Sequence, residues 1–500
     1  MTSRPVEHFD VIVVGAGLSG IGAAWHLQER CPEMSYVILE GRDAIGGTWD
    51  LFRYPGIRSD SDMYTMGYRF QPWREGPAIA DGPSIKAYIE NTARESGIDR
   101  RIRFSHRVVR AEWSSETCQW TVEVEVGGET LDFTCGFLYT CTGYYRYDSG
   151  HAPEWPGMDR FAGRVVHPQH WPDDVDLEGK RLVVIGSGAT AVTLVPALAA
   201  EPAAAAHVTM LQRSPTYVAT MPAGDRIAEL LRRFLPERAV YVLSRWRRVL
   251  FGMLFFELAR SRPELVKRLL FRGVRNELGP DFDVETHFTP SYDPWDQRLC
   301  LDPDGVFFAA LREGRASIVT DEIETFTVSG ITLRSGNELA ADVIITATGL
   351  EILLLGGIEL IVDGEKIDLS KTLTYKGMMY SDVPNLASTF GYTNASWTLK
   401  ADLTAEHVCR LLDHMRRHGY ARVTPRRPDS PMQEVPALDF TSGYVQRAMH
   451  RLPRQGAEVP WRVHQNYLKD LLLFRFARVE DPALEFGARK ARAERLLDHL

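Results

Sequence analysis

Closely spaced cysteines are missing from this chain. Its six cysteines, Cys31, Cys118, Cys135, Cys141, Cys300 and Cys409, form neither Cys-x-x-Cys nor Cys-x₄-Cys, so no zinc knuckle or redox-active disulfide is encoded locally. They read instead as small buried apolar side chains. A long apolar run is missing too: no uninterrupted span reaches the roughly 20 residues that cross a bilayer. Met1 to His8 holds no apolar signal region ahead of the first strand, and the expectation is a cytoplasmic protein. Positive charge is not in excess, since 58 Lys and Arg stand against 66 Asp and Glu for a net charge of −8, which speaks against nucleic acid as a partner. No metal-ligand spacing stands out, and no metal is expected.

What is present is punctuation by glycine. At 500 residues the chain exceeds one core, and two to four domains are expected. Phe9–Val14 is a short β-branched run of the kind that forms a strand buried on both faces. It leads into Gly15-Ala-Gly17-Leu-Ser-Gly20 and then a helical run. In such a turn Gly15 makes the tight bend, Gly17 lets backbone approach a pyrophosphate, and Gly20 allows helix and strand to pack closely. The next strand, Ser35 to Glu40, ends in an acid where a ribose 2′-hydroxyl needs an acceptor.

The pattern returns at Arg181–Ile185, followed by Gly186-Ser187-Gly188-Ala189-Thr190-Ala191-Val192, with Ala191 in place of the third glycine. The strand after it, His207–Leu211, ends in Gln212-Arg213-Ser214 rather than an acid. A guanidinium grips a 2′-phosphate where a carboxylate would repel it, so Arg213 and Ser214 point to NADPH. The fold class is therefore α/β, with two Rossmann-like dinucleotide-binding domains. Residues 84–95 read as a helix, and Arg103–Arg110, Trp120–Val126 and Leu131–Phe137 as antiparallel strands around a Gly127-Gly128 hairpin.

Three further stretches carry a resemblance. Phe161-Ala-Gly-Arg-Val-Val-His167-Pro-Gln-His-Trp171-Pro172 lies between the two glycine turns. Gly46-Gly47-Thr48-Trp49-Asp50-Leu51-Phe-Arg-Tyr54-Pro55-Gly56-Ile-Arg58-Ser59-Asp60 follows the first, and Tyr292-Asp-Pro-Trp295-Asp-Gln-Arg298 lies far downstream. Together they resemble the type I Baeyer–Villiger monooxygenases, and most closely their ethionamide-activating bacterial subgroup, over essentially the whole chain.

The resemblance implies that the Thr48–Leu51 loop passes close to the isoalloxazine, with Trp49 and Asp50 in it. Ser19, Glu40 and Val108 would hold the rest of FAD, and Arg58, Ser59 and Asp60 would face the nicotinamide. It makes Arg298 the active-site arginine, held and tuned by Asp60. NADPH would reduce FAD, and a C4a-peroxyflavin would insert one oxygen of O₂ into a ketone to give an ester or lactone, or oxidise a sulfide or thioamide. His167 and Trp171 would set the link between domains rather than react.

On this reading residues 1–147 and 351–500 form the FAD domain, 148–222 and 290–350 the NADP domain, and 223–289 a helical insert. The insert is rich in Leu, Phe and Arg. It reads either as a subdomain over the active site or as a peripheral contact with anionic membrane through a basic face. The leucine-rich stretch at 351–355 departs from the family, and Gln297 stands where many relatives carry lysine. Rival readings are a flavin-containing monooxygenase acting on soft N or S nucleophiles, a disulfide reductase lacking its cysteines, and a non-catalytic FAD scaffold. The oligomeric state is not legible.

Overall fold

The computed structural model describes residues 6–488 apart from Glu75 and Asp439. Two sheets organise it. The first runs Glu365–Lys366, Glu359–Val362, Arg107–Ser114, Gln119–Val126, Glu129–Thr140, Glu7–Val14, Tyr36–Leu39, Ile102–Arg103 in spatial order, and Leu386–Ser388 also pairs with Glu129–Thr140. Its parallel part puts Val11, Ile12 and Val13 fully out of water, as expected of a strand covered on both faces. The second sheet is entirely parallel, in the order Ala316–Thr320, His207–Gln212, Arg181–Ile185, Val343–Thr346, Arg164–Val166.

The first sheet thus takes strands from both sides of the second in sequence, and the second is inserted whole between them. The Val343–Thr346 strand comes from more than a hundred residues downstream to lie beside Arg181–Ile185. The chain crosses between the sheets twice, near 143–163 and near 347–358. The Phe161 to Pro172 stretch begins with the edge strand of the second sheet, where Val343 pairs with Arg164.

The helix expected over 84–95 spans Gly82–Glu95, capped by the Asp81 side chain accepting from Ser84 N. The hairpin at Gly127-Gly128 is present, with both glycines at positive φ. The strand expected at Arg103–Arg110 instead occupies Arg107–Ser114. Ile102–Arg103 pairs separately beside Tyr36–Leu39, and Ser105, at φ 56°, breaks the run between them.

The insert is four helices, Arg226–Leu231, Glu237–Ser261, Pro263–Leu278 and Val284–Phe288. Phe234, Phe251 and Leu254 are 77%, 59% and 70% exposed, whereas Arg245 is only 5% exposed. Arg245 stays inside because its Nη1 donates to the carbonyls of Tyr64 at 2.7 Å and Gly67 at 2.9 Å, which offsets the cost of burying a cation. The long insert helix thereby clamps the short Met63–Met66 helix, which follows the Arg58-Ser59-Asp60 loop.

Candidate active site between two glycine turns

The site is built where strands of the first sheet end. Gly15, at φ 102°, bends the chain so tightly that a Cβ there would lie 2.8 Å from the Cys141 carbonyl oxygen. A Cβ on Gly20 would sit 1.8 Å from the Gly15 oxygen, so helix and turn touch backbone to backbone. Gly47, at φ 56°, brings a second loop against the first, since its Cβ would be 3.1 Å from Gly17 Cα. The free N–H groups at the start of the Leu18–Arg30 helix face this junction, the environment that backbone and dipole make favourable for a phosphate.

Glu40 does more here than end a strand. Its Oε2 accepts from Ala16 N at 2.6 Å and its Oε1 from Arg42 N at 2.9 Å, so it holds the glycine turn in shape. Burial, only partly offset by those bonds and by Arg42, pushes its carboxyl above the usual range. Each oxygen keeps a second lone pair for a ribose hydroxyl.

A cavity of about 550 Å³ opens from this junction toward the second sheet, a size typical of cofactor sites. Gly15, Gly17, Ser19, Glu40, Gly47, Thr48, Trp49, Val108, Arg58, Ser59, Asp60, Ala189, Thr190 and Arg298 all line it. Both glycine turns therefore contribute to one space. Leu350 and Leu353 line it as well, which gives the leucine-rich crossing a place: two of its side chains form an apolar wall.

Other residues singled out in the sequence lie outside that lining. Asp50 is 1% exposed and pairs with Arg42, with Lys86 at 2.7 Å and with Arg53 at 3.3 Å, anchoring the loop from behind. Leu51, Ala191 and Val192 are buried in the core under the second sheet, and Gly20 is packed against Gly15. Gly186 makes the second tight turn at φ 134°, and Gly188 caps the Ala189–Leu198 helix. Ser187 Oγ donates to the Ser214 carbonyl at 2.9 Å, tying that turn to the loop bearing Arg213. Arg213 and Ser214 are exposed at the strand end.

Two arginines in the cavity wall have different fates. Arg58 uses Nη1 on Thr193 Oγ1 at 2.6 Å and Nη2 on the Leu301 carbonyl at 2.8 Å, so it stitches the Asp60 loop to the second sheet's helix. Arg298 makes no hydrogen bond among the described residues, and its ion pair is with Asp60, Nε to Oδ2, at 3.5 Å. Burial acts to lower its pKa, but Asp60 and the nearby oxygens of Tyr144, Tyr145 and Tyr444 outweigh it and hold the guanidinium above its ordinary value. It is a permanent cation with donors to spare.

Aromatic residues that sequence reasoning passed over complete the wall. Tyr144, Tyr145, Tyr147, Tyr392 and Trp397 all line the cavity. Tyr144 stacks on Trp397 at 5.0 Å and 12°, Trp397 Nε1 donates to Ser19 Oγ at 2.7 Å, and the Tyr144 and Tyr145 hydroxyls bond each other. Burial pushes Tyr147 up to about 12. The signal was available as Tyr144-Tyr-Arg-Tyr147 directly after the Thr142-Gly143 turn, but it names no chemistry alone.

His167 and Trp171 do not line the cavity. The His167 ring packs on Gly150, where a Cβ would come within 2.0 Å of it, and burial lowers its pKa. Gln169, fully buried beside it, donates to the Arg146 and Tyr147 carbonyls at 2.8 and 3.0 Å. The stretch braces the crossing between the sheets from outside the reaction space.

The fold and site are those of an oxidoreductase with two dinucleotide-binding units facing one cavity. The chain matches the family described as flavin-binding monooxygenase-like over residues 9–225. It is 53% identical to the FAD-containing monooxygenase EthA of Mycolicibacterium smegmatis, covering 97% of this chain and 98% of that protein. It is also 46% identical to the probable FAD-binding monooxygenase AlmA of Acinetobacter baylyi, over 98% of each. The structure of an oxidised steroid monooxygenase bound to NADP superposes with a TM-score of 0.75 at 22% identity, covering 96% of this chain and all of that one, which shows the shared fold. The chain belongs with the EthA-type FAD-containing monooxygenases, as a flavin-dependent monooxygenase.

Proposed function

We propose that this chain is an FAD- and NADPH-dependent Baeyer–Villiger monooxygenase that converts ketones to esters or lactones and also oxidises sulfides and thioamides. Residues 1–147 and 351–500 would hold FAD, 148–222 and 290–350 NADP, with 223–289 as the insert. When bound, reduced FAD supplies the activated oxygen atom from O₂, with electrons drawn from NADPH. The residues fit such a group: Gly47, at positive φ, brings its loop within a tight 3.1 Å Cβ approach of Gly17, and the free helix N-terminus suits a pyrophosphate.

The observation that carries the reaction class is Arg298, a cation at the cavity wall with unspent donors. Oxygen transfer to a carbonyl builds negative charge on the oxygen donor and then on the former carbonyl oxygen, and a fixed guanidinium beside those atoms stabilises both. Asp60 holds that guanidinium from its Nε side, leaving the Nη groups to face the substrate. The apolar wall of Leu350 and Leu353 and the Tyr144–Trp397 stack exclude water from the reacting atoms. NADPH consumption against cyclic ketones, linear ketones and sulfides, with products identified, tests the proposal. Esters or lactones support it; sulfoxides alone, with every ketone inert, favour the flavin-containing monooxygenase that acts on soft nucleophiles.

Coenzyme choice rests on Arg213, exposed at the end of its strand with no ion pair among the described residues. Arg213→Glu is expected to lower kcat/KM for NADPH by about 10- to 100-fold, since one charge-assisted contact is worth about 1.5–3 kcal/mol. NADH should be affected far less. Equal losses with both coenzymes would remove the 2′-phosphate role.

Among the described residues no helix is long and apolar enough to cross a membrane. The insert's surface suits a shallower contact. It combines the exposed Phe234, Phe251 and Leu254 with twelve basic residues outside the core, Arg245 being buried, against five acidic ones between 226 and 278. We propose that it docks on anionic bilayers. Co-sedimentation should be strong with phosphatidylglycerol-containing vesicles and weak with pure phosphatidylcholine, and Phe251→Ser with Leu254→Ser should abolish it. No sedimentation with either vesicle would rule docking out.

A further inference from the structure

The long helix Trp397–His418 begins at the cofactor cavity and ends far from any residue that lines it. Its C-terminal end carries His414 and His418, four apart and so on one face. Across from them lies Glu480, on the segment leading to the Leu484–Gly487 strand. One ligand atom from each of these three side chains lies within 4.8 Å of the others.

The bonding around them leaves nitrogen lone pairs free. His418 Nδ1 meets the His414 carbonyl at 2.9 Å. A carbonyl can only accept, so Nδ1 carries the proton and Nε2 is the open lone pair, the arrangement in which backbone carbonyls fix metal-binding imidazoles. His414 Nε2 is buried without a hydrogen-bond partner, although Glu480 Oε1 stands 3.4 Å away. Phe486 and Tyr420 pack against His414 and fix its plane.

We propose that His414, His418 and Glu480 bind a divalent cation of the Zn²⁺ type. Two imidazoles and a carboxylate suit a borderline metal and not Mg²⁺, which prefers oxygen throughout. Three protein ligands leave a fourth position for water. Tetrahedral bonds of about 2.0–2.2 Å set ligand atoms roughly 3.3 Å apart. Glu480 is exposed and can close the remaining gap by rotation about its side-chain bonds, with the His418 ring kept on the His414 carbonyl. The metal would fasten the end of the cavity-bearing helix to the segment before Leu484–Gly487, which pairs with Arg422–Pro425.

The test is calorimetric titration of the full-length, tag-free protein, loaded with flavin, using Zn²⁺ and separately Mg²⁺. One Zn²⁺ per chain is expected, with no Mg²⁺ heat and a rise in unfolding temperature on adding Zn²⁺. His418→Ala and Glu480→Gln, both at exposed positions, should each weaken Zn²⁺ at least 10-fold while flavin content stays unchanged. Absence of a saturable Zn²⁺ site in the native chain, or a site that both variants leave intact, overturns the proposal.

Discussion

Replacing Arg298 with alanine is expected to leave flavin reduction by NADPH within a few-fold of the native rate, yet to cut ester formation by about 10²–10³-fold, the usual effect of deleting one preorganised donor to developing negative charge. The reason is positional. Arg298 is a cavity-lining cation that spends no hydrogen bond on the described protein and pairs with Asp60 only through Nε at 3.5 Å. Its donors are therefore open to the reacting oxygens, whereas the Arg58 donors are not. NADPH consumption should continue and appear as hydrogen peroxide, because electrons still reach O₂ without productive transfer. Arg298→Lys should recover part of the activity, since it restores the charge without the planar fork. Stopped-flow reduction followed by product analysis separates the two steps, and undiminished ester from the alanine variant would take Arg298 out of the chemistry.

Replacing Gly20 with alanine should yield protein that purifies with little bound flavin. The added Cβ would sit 1.8 Å from the Gly15 carbonyl oxygen. That neighbour is backbone and cannot swing aside, so the turn itself must open. Forcing even one methyl into a tight contact costs about 1–3 kcal/mol, and the whole strain falls on the loop proposed to meet the pyrophosphate. FAD affinity should drop about 5- to 150-fold on that energy. Absorbance at the flavin band against protein concentration measures it, and circular dichroism checks that the chain has folded. A fully yellow Gly20→Ala protein would show that the helix and turn can separate without loss.

The parts of the molecule legible beforehand were those written in contiguous residues. Phe9–Val14 followed by Gly15, Gly17 and Gly20 could be read because strand, tight turn and helix N-terminus are adjacent in sequence. Arg181–Ile185 with Gly186 and Gly188 was legible for the same reason. Asp50 shows the limit: it sits in the loop that approaches the cavity, but its carboxylate is turned back onto Arg42, Arg53 and Lys86. Only side-chain direction in three dimensions distinguishes it from Thr48 or Trp49. The strand misplaced at Arg103–Arg110 was lost to a single positive-φ residue, Ser105, which no alternation of apolar and polar residues reveals. Arg245 was unreadable in another way. A helical arginine is ordinarily solvated, and its burial depends on carbonyls of Tyr64 and Gly67 nearly two hundred residues earlier.

Sequence alone determined the α/β class, the two dinucleotide turns and the family, because glycine spacing and β-branched runs act through local backbone sterics. Tertiary structure decided that both turns open onto one cavity, that Tyr144 and Trp397 wall it, and that Arg298 rather than Arg58 keeps its donors free. Those facts depend on which distant groups occupy a side chain's hydrogen bonds, and that is settled only when residues such as Asp60, Thr193 and Leu301 are brought to the same few ångströms.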